Sequence, residues 1–169
     1  MKPVISIIAP IFNEKDSLPE LHRRVEAVMA GLGETWELIL VDDGSSDGST
    51  DQIRALAALD EHVRPVIFAR NFGHQIAVTA GLDYSRGDAV LIIDADLQDP
   101  PEVLTEMLDL WQRGNKVIFA VRKDRRGDPV TSRIFSYIFN TLFTWLIYKG
   151  IPTHGIGFFL VDKQVSEVL

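Results

Sequence analysis

Three short acidic stretches are the residues of this chain whose types and spacing suggest chemistry. Residues 10–14 (PIFNE), 41–45 (VDDGS) and 93–99 (IDADLQD) each follow a run of apolar residues. Such runs are typical of buried strands, and parallel strands end at one edge of a sheet, where open α/β folds bind ligands. Carboxylates gathered at that edge repel one another unless a cation lies between them. The pattern therefore predicts a site for a metal ion and a nucleotide.

Asp94 and Asp96 form a D-x-D pattern after the last of these runs. In an extended chain, side chains two residues apart point the same way, so we expect both carboxylates to address one site. Oxygen ligands suit Mg²⁺ or Mn²⁺, which often bridge to a diphosphate. A D-x-D alone is frequent by chance, but the two further acidic strand ends strengthen it. The chain contains neither GxGxxG nor GxxxxGK[ST], the glycine-rich loops of dinucleotide and Walker-type sites.

The elements that must position these acids alternate along the chain. Apolar runs predict strands over 4–9, 36–41, 64–69, 89–93 and 116–121. Helices are predicted from Ser17, from Ser49, over 75–85 and over 100–113. Ser17 to Glu20 reads as a capping box, and Ser49 as the cap of the next helix. The βαβαβαβαβ order predicts an α/β fold with a mostly parallel central sheet and helices on both faces.

Length and composition narrow the function classes. The 169 residues suffice for one domain, taken as residues 1–169, and the net charge of −7 argues against a nucleic-acid binder. With no cysteine there is no thiol chemistry, which is compatible with a reducing compartment. Residues 134–148 are uncharged but too short for a membrane span, so a buried helix or an interfacial helix over 131–149 is expected. The sequence ends within a predicted helix, so truncation is an open expectation.

The motifs P-x-x-N-E, V-D-D-G-S-x-D, R-N-F-G and D-A-D-L-Q-D-P-P together resemble those of family 2 glycosyltransferases with the GT-A nucleotide-sugar-binding fold. Over residues 4–126 the chain is similar to polyprenyl-phosphate sugar transferases, namely bactoprenol glucosyltransferases and dolichol-phosphate mannose synthases. The resemblance implies inverting transfer from a nucleoside diphosphate sugar, UDP-glucose-like, to polyprenyl phosphate. It also implies Mg²⁺ or Mn²⁺ as cofactor, a membrane surface on the cytoplasmic side as partner, and leaves a homo-oligomer open.

The resemblance assigns roles to individual residues. The metal ligands would be Asp94 and Asp96. Catalytic roles would fall to Asp96, Gln98, Asp99 and Arg122. The nucleotide sugar would be bound by Pro10, Asn13, Glu14, Asp42, Asp43, Arg70, Asn71, Gly73, Asp94 and Ala95. The acceptor phosphate would be held by Arg122, Lys123, Arg125 and Arg126.

Simpler interpretations of several residues stay open. Asp43 and Gly44 are compatible with a plain β-turn, and the charged residues at 122–126 with a solvated surface run. Asn13 and Glu14 are compatible with a helix lead-in, and Gln98 and Asp99 with a helix cap. His74 and His154 fit polar loop positions better than they fit catalytic bases.

One stretch departs from the family pattern. The lipid-phosphate branch usually reads close to D-x-G-D-F-R-L, whereas this chain has His154, Gly157 and Phe159 in place of the two acids and the arginine. The second acid often serves as the base. A hydroxyl acceptor needs a base, but a phosphate monoester has a second pKa of about 6 and is already largely ionised at neutral pH.

The missing acid is therefore compatible with polyprenyl phosphate as the acceptor. Three alternatives stay open. The first is transfer to a saccharide hydroxyl, with Asp99 or His154 as the base. The second is a non-catalytic or incomplete nucleotide-sugar-binding domain, and the third is a nucleotidyltransferase, which the absence of a glycine-rich loop disfavours.

Overall fold

A six-stranded sheet forms the centre of the structure. The computed structural model describes residues 3–98, 100–121 and 156–167. The strands are β1 (Ile5–Ile11), β2 (Trp36–Asp42), β3 (Val63–Ile67), β4 (Ala89–Ile92), β5 (Val117–Val121) and β6 (Ile156–Asp162). The helices are α1 (Leu18–Leu32), α2 (Ser49–Leu59), α3 (His74–Tyr84), α4 (Leu104–Gln112) and α5 (Lys163–Ser166), with a 3₁₀ turn at Pro101–Val103.

Several predicted features lie outside the described residues. They are Asp99, Arg122, Lys123, Arg125, Arg126, the segment 131–149 and His154. The roles expected of them stay predictions. In the described part of the chain, none of the helices has the length and apolar character needed to cross a bilayer.

The strands lie in the order β3-β2-β1-β4-β6-β5. β1 pairs in parallel with β2 and β4, and β2 pairs in parallel with β3, which confirms the predicted mostly parallel sheet. β6 runs antiparallel to both β4 and β5. The predicted alternation did not include this strand, which inserts between β4 and β5.

Helices cover both faces of the sheet, as predicted. On one face, α1, α2 and α4 bury an apolar stripe against the strands: Leu18, Leu21, Val25, Met29, Ile53, Leu104, Met107 and Leu108. On the other face, α3 packs Ala77 against Ile8, Ile39 and Val41. Full burial of a leucine-sized side chain contributes about 1.5–3 kcal/mol, so these two layers supply most of the driving force for folding.

Pro10 lies inside β1, although the sequence predicted that the strand ends before it. The Ile8 carbonyl accepts a hydrogen bond from the Ile93 N–H, so the even-numbered residues of β1 direct their backbone groups toward β4. Pairing with β4 ends at Ile8. The missing N–H of Pro10 therefore falls where no partner strand requires it, and β1 continues to Ile11 beside β2.

The predicted capping box at Ser17 is wrong. Ser17 has helical dihedral angles (φ −87°, ψ −25°) and makes no side-chain cap. Its hydroxyl donates instead to the Glu14 carboxylate at 2.6 Å, and Glu20 pairs with Arg23 at 2.7 Å. The Glu14 carbonyl already accepts the N–H groups of Ser17 and Leu18. The chain has thus begun to turn before Ser17, which leaves this residue without the extended backbone that a cap requires.

The predicted cap of α2 is also wrong. The helix begins at Ser49 itself, and the preceding Gly48 has φ 99°. The Ser49 hydroxyl donates to Asp47 Oδ1 at 2.6 Å and accepts the Glu14 N–H at 3.0 Å. Ser49 therefore links the loop after β1 to the loop after β2 instead of capping its helix.

A buried ion network closes the amino end of the sheet. Glu37 of β2 is 2% exposed. Its carboxylate accepts hydrogen bonds from the Ser6 hydroxyl at 2.6 Å, from Arg64 at 2.7 Å and from the Arg86 guanidinium at 2.8 Å. Burial alone would raise the pKa of Glu37, but these hydrogen bonds outweigh it and hold the pKa below its ordinary value.

Replacing Glu37 by Gln is expected to lower the free energy of unfolding by roughly 2 kcal/mol at neutral pH, because two arginines lose a charged acceptor. Since the pKa of Glu37 is depressed in the folded state, its contribution is fully present above the unfolded pKa. The contribution is lost as the pH falls through the folded pKa. Urea unfolding of parent and variant should therefore converge in acid.

Glu20→Gln is the matched control, because it removes only an exposed ion pair with Arg23. It should unfold close to the parent at every pH. A Glu37→Gln variant that behaves like this control at neutral pH would show that the network does not stabilise the sheet.

Candidate active site

The acidic stretches meet at the carboxyl edge of the sheet. β1, β2 and β4 are parallel neighbours, so the chain that follows each of them emerges at the same edge. The chain passes from β1 to β2 on one side, whereas β4 lies on the other side of β1. A sheet of this type has its ligand-binding crevice at such a switch point.

The first loop, residues 12–17 after β1, is joined to the second loop, residues 43–48 after β2, by hydrogen bonds between side chains and backbone. The Asn13 N–H donates to Ser45 Oγ at 2.9 Å, and Asn13 Oδ1 accepts the Ser46 N–H at 2.9 Å. The Lys15 N–H donates to Asp47 Oδ2 at 3.0 Å. Asn13 has φ 57°, a left-handed conformation that asparagine adopts more readily than most residues. The side-chain amide of Asn13 thus joins the two loops.

Asp42 holds the second loop from inside the fold. It is 0% exposed. Its Oδ1 accepts the Ser45 N–H at 2.9 Å, and its Oδ2 accepts the Thr50 hydroxyl. The carboxylate therefore ties the end of β2 to the first turn of α2 and has no accessible surface in this structure. Direct contact of Asp42 with a nucleotide stays a prediction.

Asp43 and Gly44 join the second loop to the third loop, residues 68–73, which follows β3. Asp43 Oδ1 accepts the Phe72 N–H at 2.7 Å, and Oδ2 accepts the Gly73 N–H at 2.9 Å. Gly44 has φ 72°, and a Cβ at this position would lie 2.4 Å from the carbonyl carbon of Arg70. The D-D-G stretch therefore makes a tight contact with the third loop, in addition to forming the turn between β2 and α2.

A pocket of about 140 Å³ lies between the first loop, Asp43 and the start of α3. It is lined by Pro10, Ile11, Phe12, Asp43, Asn71, Gly73, His74 and Ala77. Four of these, Pro10, Asp43, Asn71 and Gly73, are among the residues predicted to bind the nucleotide sugar. Three motifs that are far apart in the sequence thus contribute to one pocket.

Two further features bear on this pocket. The Arg70 guanidinium lies over the Phe72 ring, 4.1 Å from its centroid, as in a cation–π contact. A larger cavity of about 380 Å³ runs along β3 beside Tyr84. It lies away from the acidic motifs, so volume alone does not mark the candidate site.

The D-A-D stretch leaves β4 as a turn. The strand ends at Ile92, and the Gln98 N–H donates to Asp96 Oδ1 at 3.0 Å. Because Ala95 and Asp96 lie in this turn, the extended-chain argument for two carboxylates that point the same way is wrong. Ala95 is buried and anchors the turn, whereas Asp96 is exposed and the Asp94 side chain is 45% exposed.

These two accessible carboxylates are hard oxygen donors, so they fit Mg²⁺ or Mn²⁺. Across the described residues, no group of three or more His, Cys, Asp or Glu side chains is arranged to hold a metal ion. His74 Nε2 lies 3.9 Å from Asp94 Oδ1, which brings the start of α3 to the D-A-D turn. The sequence favoured a polar loop position for His74. Its position directly after R-N-F-G is the signal that places it at the pocket.

The stretch that departs from the family pattern lies next to this turn. Phe159 of β6 pairs with Ile92 of β4, and its ring lies 6.1 Å from that of Phe119. Because β6 runs antiparallel to β4, Gly157 precedes Phe159 at the same edge of the sheet at which β4 leads into the D-A-D turn. The position at which the family pattern has its second acid is therefore at the carboxyl edge, and here it carries no side chain.

A sequence model described as Glycosyl transferase family 2 matches residues 6–168. The chain belongs to this family. The uncharacterized glycosyltransferase YkcC of Bacillus subtilis is 40% identical over 162 residues, which cover 96% of this chain and 50% of that protein. An undecaprenyl-phosphate 4-deoxy-4-formamido-L-arabinose transferase of Salmonella enteritidis is 36% identical over 152 residues, which cover 89% of this chain and 46% of that protein. The chain spans about half the length of these curated relatives.

Solved structures share the fold of this family 2 glycosyltransferase. A mannosyltransferase of Pyrobaculum calidifontis, in complex with GDP-Man and Mn²⁺, matches with a TM-score of 0.67 and 16% identity, over 99% of this chain and 47% of that chain. A glucosyl-3-phosphoglycerate synthase of Mycobacterium tuberculosis, with Mn²⁺, UDP-glucose and phosphoglyceric acid, matches with a TM-score of 0.65 and 21% identity, over 96% and 57%. The predicted GT-A fold and glycosyltransferase class are confirmed.

Replacing Gly44 by Ala is expected to lower the free energy of unfolding by about 1–3 kcal/mol, because the left-handed backbone and the contact with Arg70 both oppose a Cβ. Gly31 of α1 is the matched control, since a Cβ there meets nothing within 4 Å. Gly31→Ala should stabilise the chain by roughly 0.5–1 kcal/mol. Urea unfolding followed by circular dichroism measures both. Equal effects of the two substitutions would rule out the tight loop contact.

Proposed function

We propose that this chain is the catalytic domain of an inverting glycosyltransferase that moves a sugar from a nucleoside diphosphate sugar to polyprenyl phosphate at the cytoplasmic face of the membrane. The observation that carries the proposal is the convergence of three loops on the pocket beside an accessible D-A-D turn. In this proposal a nucleotide would occupy the pocket, and Asp94 and Asp96 would hold the divalent cation that accompanies its diphosphate.

The donor half of the site is assigned as follows. Pro10, Asn71 and Gly73 contact the nucleotide, and Asn13, Glu14 and Asp42 keep the surrounding loops in place. Asp94 and Asp96 would hold a divalent cation through their carboxylate oxygens. When bound, such a cation stabilises the negative charge on the departing nucleoside diphosphate. Arg70 supplies further positive charge from the third loop.

The acceptor is assigned from the missing acid. A base beside the reacting centre is needed for a hydroxyl acceptor, and Gly157 stands where the family pattern has an acid. A phosphate monoester attacks as an anion and needs no such base. The name of the Salmonella relative, an undecaprenyl-phosphate transferase, supports the same acceptor class. In this proposal Gln98, Asp99 and Arg122 face the acceptor, and Arg122, Lys123, Arg125 and Arg126 hold its phosphate.

The second candidate is a nucleotide-sugar-binding domain without transferase activity. The observation that favours it is again Gly157, because a domain that only binds nucleotide sugar needs no base at this position. The two candidates share the donor site and differ only in turnover.

The donor site is tested by thermal unfolding with UDP or GDP, each with and without Mn²⁺. A nucleotide at about 100 times its Kd should add roughly 2.7 kcal/mol of stability in the presence of the cation. Asp96→Asn should abolish this gain while the unliganded chain unfolds as before, because Asp96 is exposed. The nucleotide that stabilises more identifies the donor base.

Asp109→Asn is the control for Asp96→Asn. Asp109 lies on α4, where it forms an exposed pair with Arg113, and its loss should leave the nucleotide effect intact. Full stabilisation of the Asp96 variant by nucleotide and Mn²⁺ would remove the D-A-D turn from the proposal.

The acceptor is tested by transfer of a radiolabelled sugar to polyprenyl phosphate in detergent, compared with the unphosphorylated polyprenol. We expect product only with the phosphate, at a rate that increases as the pH rises through the second phosphate pKa of about 6. Replacing Arg122 and Arg125 by Ala should abolish transfer, whereas Arg113→Ala on α4 should not. Transfer to polyprenol at an equal rate would contradict the acceptor assignment, and donor binding without any transfer would select the second candidate.

A further inference from the structure

Asp43 has the geometry of a clamp on the third loop. Its two carboxylate oxygens accept the N–H groups of two consecutive residues, Phe72 at 2.7 Å and Gly73 at 2.9 Å. Its own N–H donates to the Ile11 carbonyl at 2.8 Å, which fixes it to the end of β1. With 3% of its surface exposed, Asp43 has little area left for a ligand. Its hydrogen-bonding capacity is directed at the chain itself.

The loop that Asp43 holds has few other constraints. Residues 68–73 belong to neither a helix nor a strand, so no regular ladder of hydrogen bonds sets their conformation. The Phe68 N–H donates to the Asp42 carbonyl at one end of the loop. At the other end the constraint is the Asp43 carboxylate, and Gly44 packs against the Arg70 backbone between them.

The clamped residues present the groups assigned to the donor. Phe72 carries the ring over which the Arg70 guanidinium lies, at 4.1 Å, and this ring is held edge-on against Phe68 at 5.5 Å. Gly73 begins α3, whose first residue, His74, lines the pocket and lies 3.9 Å from Asp94. One carboxylate thus sets the position of the arginine on one side and of the helix start on the other.

The chemistry of the side chain suits this task. A carboxylate accepts two N–H groups at once, and hydrogen bonds to an ionised acceptor are stronger than those between neutral groups. An asparagine has one acceptor oxygen, and its NH₂ group would face the second backbone N–H as donor against donor. The site therefore requires an aspartate, and not merely a polar residue of the same shape.

We infer that Asp43 is a positioning residue of the donor site, which acts on the nucleotide sugar through the loop of Arg70 to His74 instead of by direct contact. This inference rests on the proposed function and replaces the direct role first expected of Asp43. It predicts that loss of the clamp loosens the loop in the absence of any ligand. It also predicts that Arg70 loses its effect on binding once the loop is loose.

The test compares Asp43→Asn with Asp60→Asn. Asp60 is a matched control because it is a mostly buried aspartate with two side-chain partners, His22 and His62, each at 2.7 Å. It lies just before the amino end of β3, and therefore at the opposite edge of the sheet from the pocket. Amide hydrogen exchange is measured without ligand, and nucleotide affinity is measured with Mn²⁺. Asp43→Asn should speed exchange at Phe72 and Gly73 by about tenfold or more and weaken nucleotide binding by about tenfold. Asp60→Asn should change neither quantity.

A double-mutant cycle separates positioning from direct contact. Arg70→Ala should weaken binding in the parent but add little in the Asp43→Asn background, because the arginine is already misplaced there. The inference would be overturned if the two substitutions raised the nucleotide Kd independently, so that their fold-changes multiplied. Unchanged amide exchange at Phe72 and Gly73 in Asp43→Asn would overturn it as well.

Failure of the variant to fold and failure of the parent to bind nucleotide have different consequences. If Asp43→Asn fails to fold, exchange in the parent still decides the matter, because rapid exchange of both amides would contradict the clamp and slow exchange would support it. If the parent binds no nucleotide, the proposed function fails, and the exchange comparison alone decides whether the clamp exists.

Discussion

Parallel pairing of β1 with both β2 and β4 is the constraint on which the candidate site depends. Because all three strands run the same way, the chain that follows each one emerges at the same edge. The site also depends on α3, which packs closely against β1. A Cβ at Gly81 would lie 2.2 Å from Ile8 Cγ2. This contact holds the start of α3, with His74, over the point where β1 and β4 separate.

At this edge, polar side chains accept the backbone N–H groups that strand pairing would satisfy inside the sheet. Backbone N–H groups in loops still require acceptors. Asn13, Asp43 and Asp47 supply them to other loops, and Asp42 supplies one within its own loop. Two acids that the sequence predicted as ligand contacts, Asp42 and Asp43, are thus engaged within the fold. Asp94 and Asp96 remain accessible, which distinguishes them from the acids that are engaged within the fold.

The opposite edge of the sheet is organised differently. Glu37 binds Ser6, Arg64 and Arg86 there, and Asp162 at the end of β6 accepts from Trp111 at 3.0 Å and Lys116 at 2.9 Å. The hydrogen bond from Lys116 is the largest of the causes that hold the pKa of Asp162 below its ordinary value. Ion pairs that tie strands together are thus concentrated away from the pocket. The carboxyl edge can therefore carry left-handed residues such as Asn13 and Leu97 without loss of the fold.

The sequence by itself determined the class of fold and the family, and it predicted four of the eight residues that line the pocket. Apolar runs that end in acids specify parallel strands and their carboxyl edge, because both signals are local in the chain. It did not determine how those acids are used. The clamp made by Asp43, the bond from the Glu14 N–H to Ser49 and the joint made by Asn13 all depend on partners in other loops. The insertion of β6 between β4 and β5 likewise depends on pairing between distant segments. Only the tertiary structure decides such features, because a hydrogen bond between residues thirty positions apart leaves no periodicity in either segment.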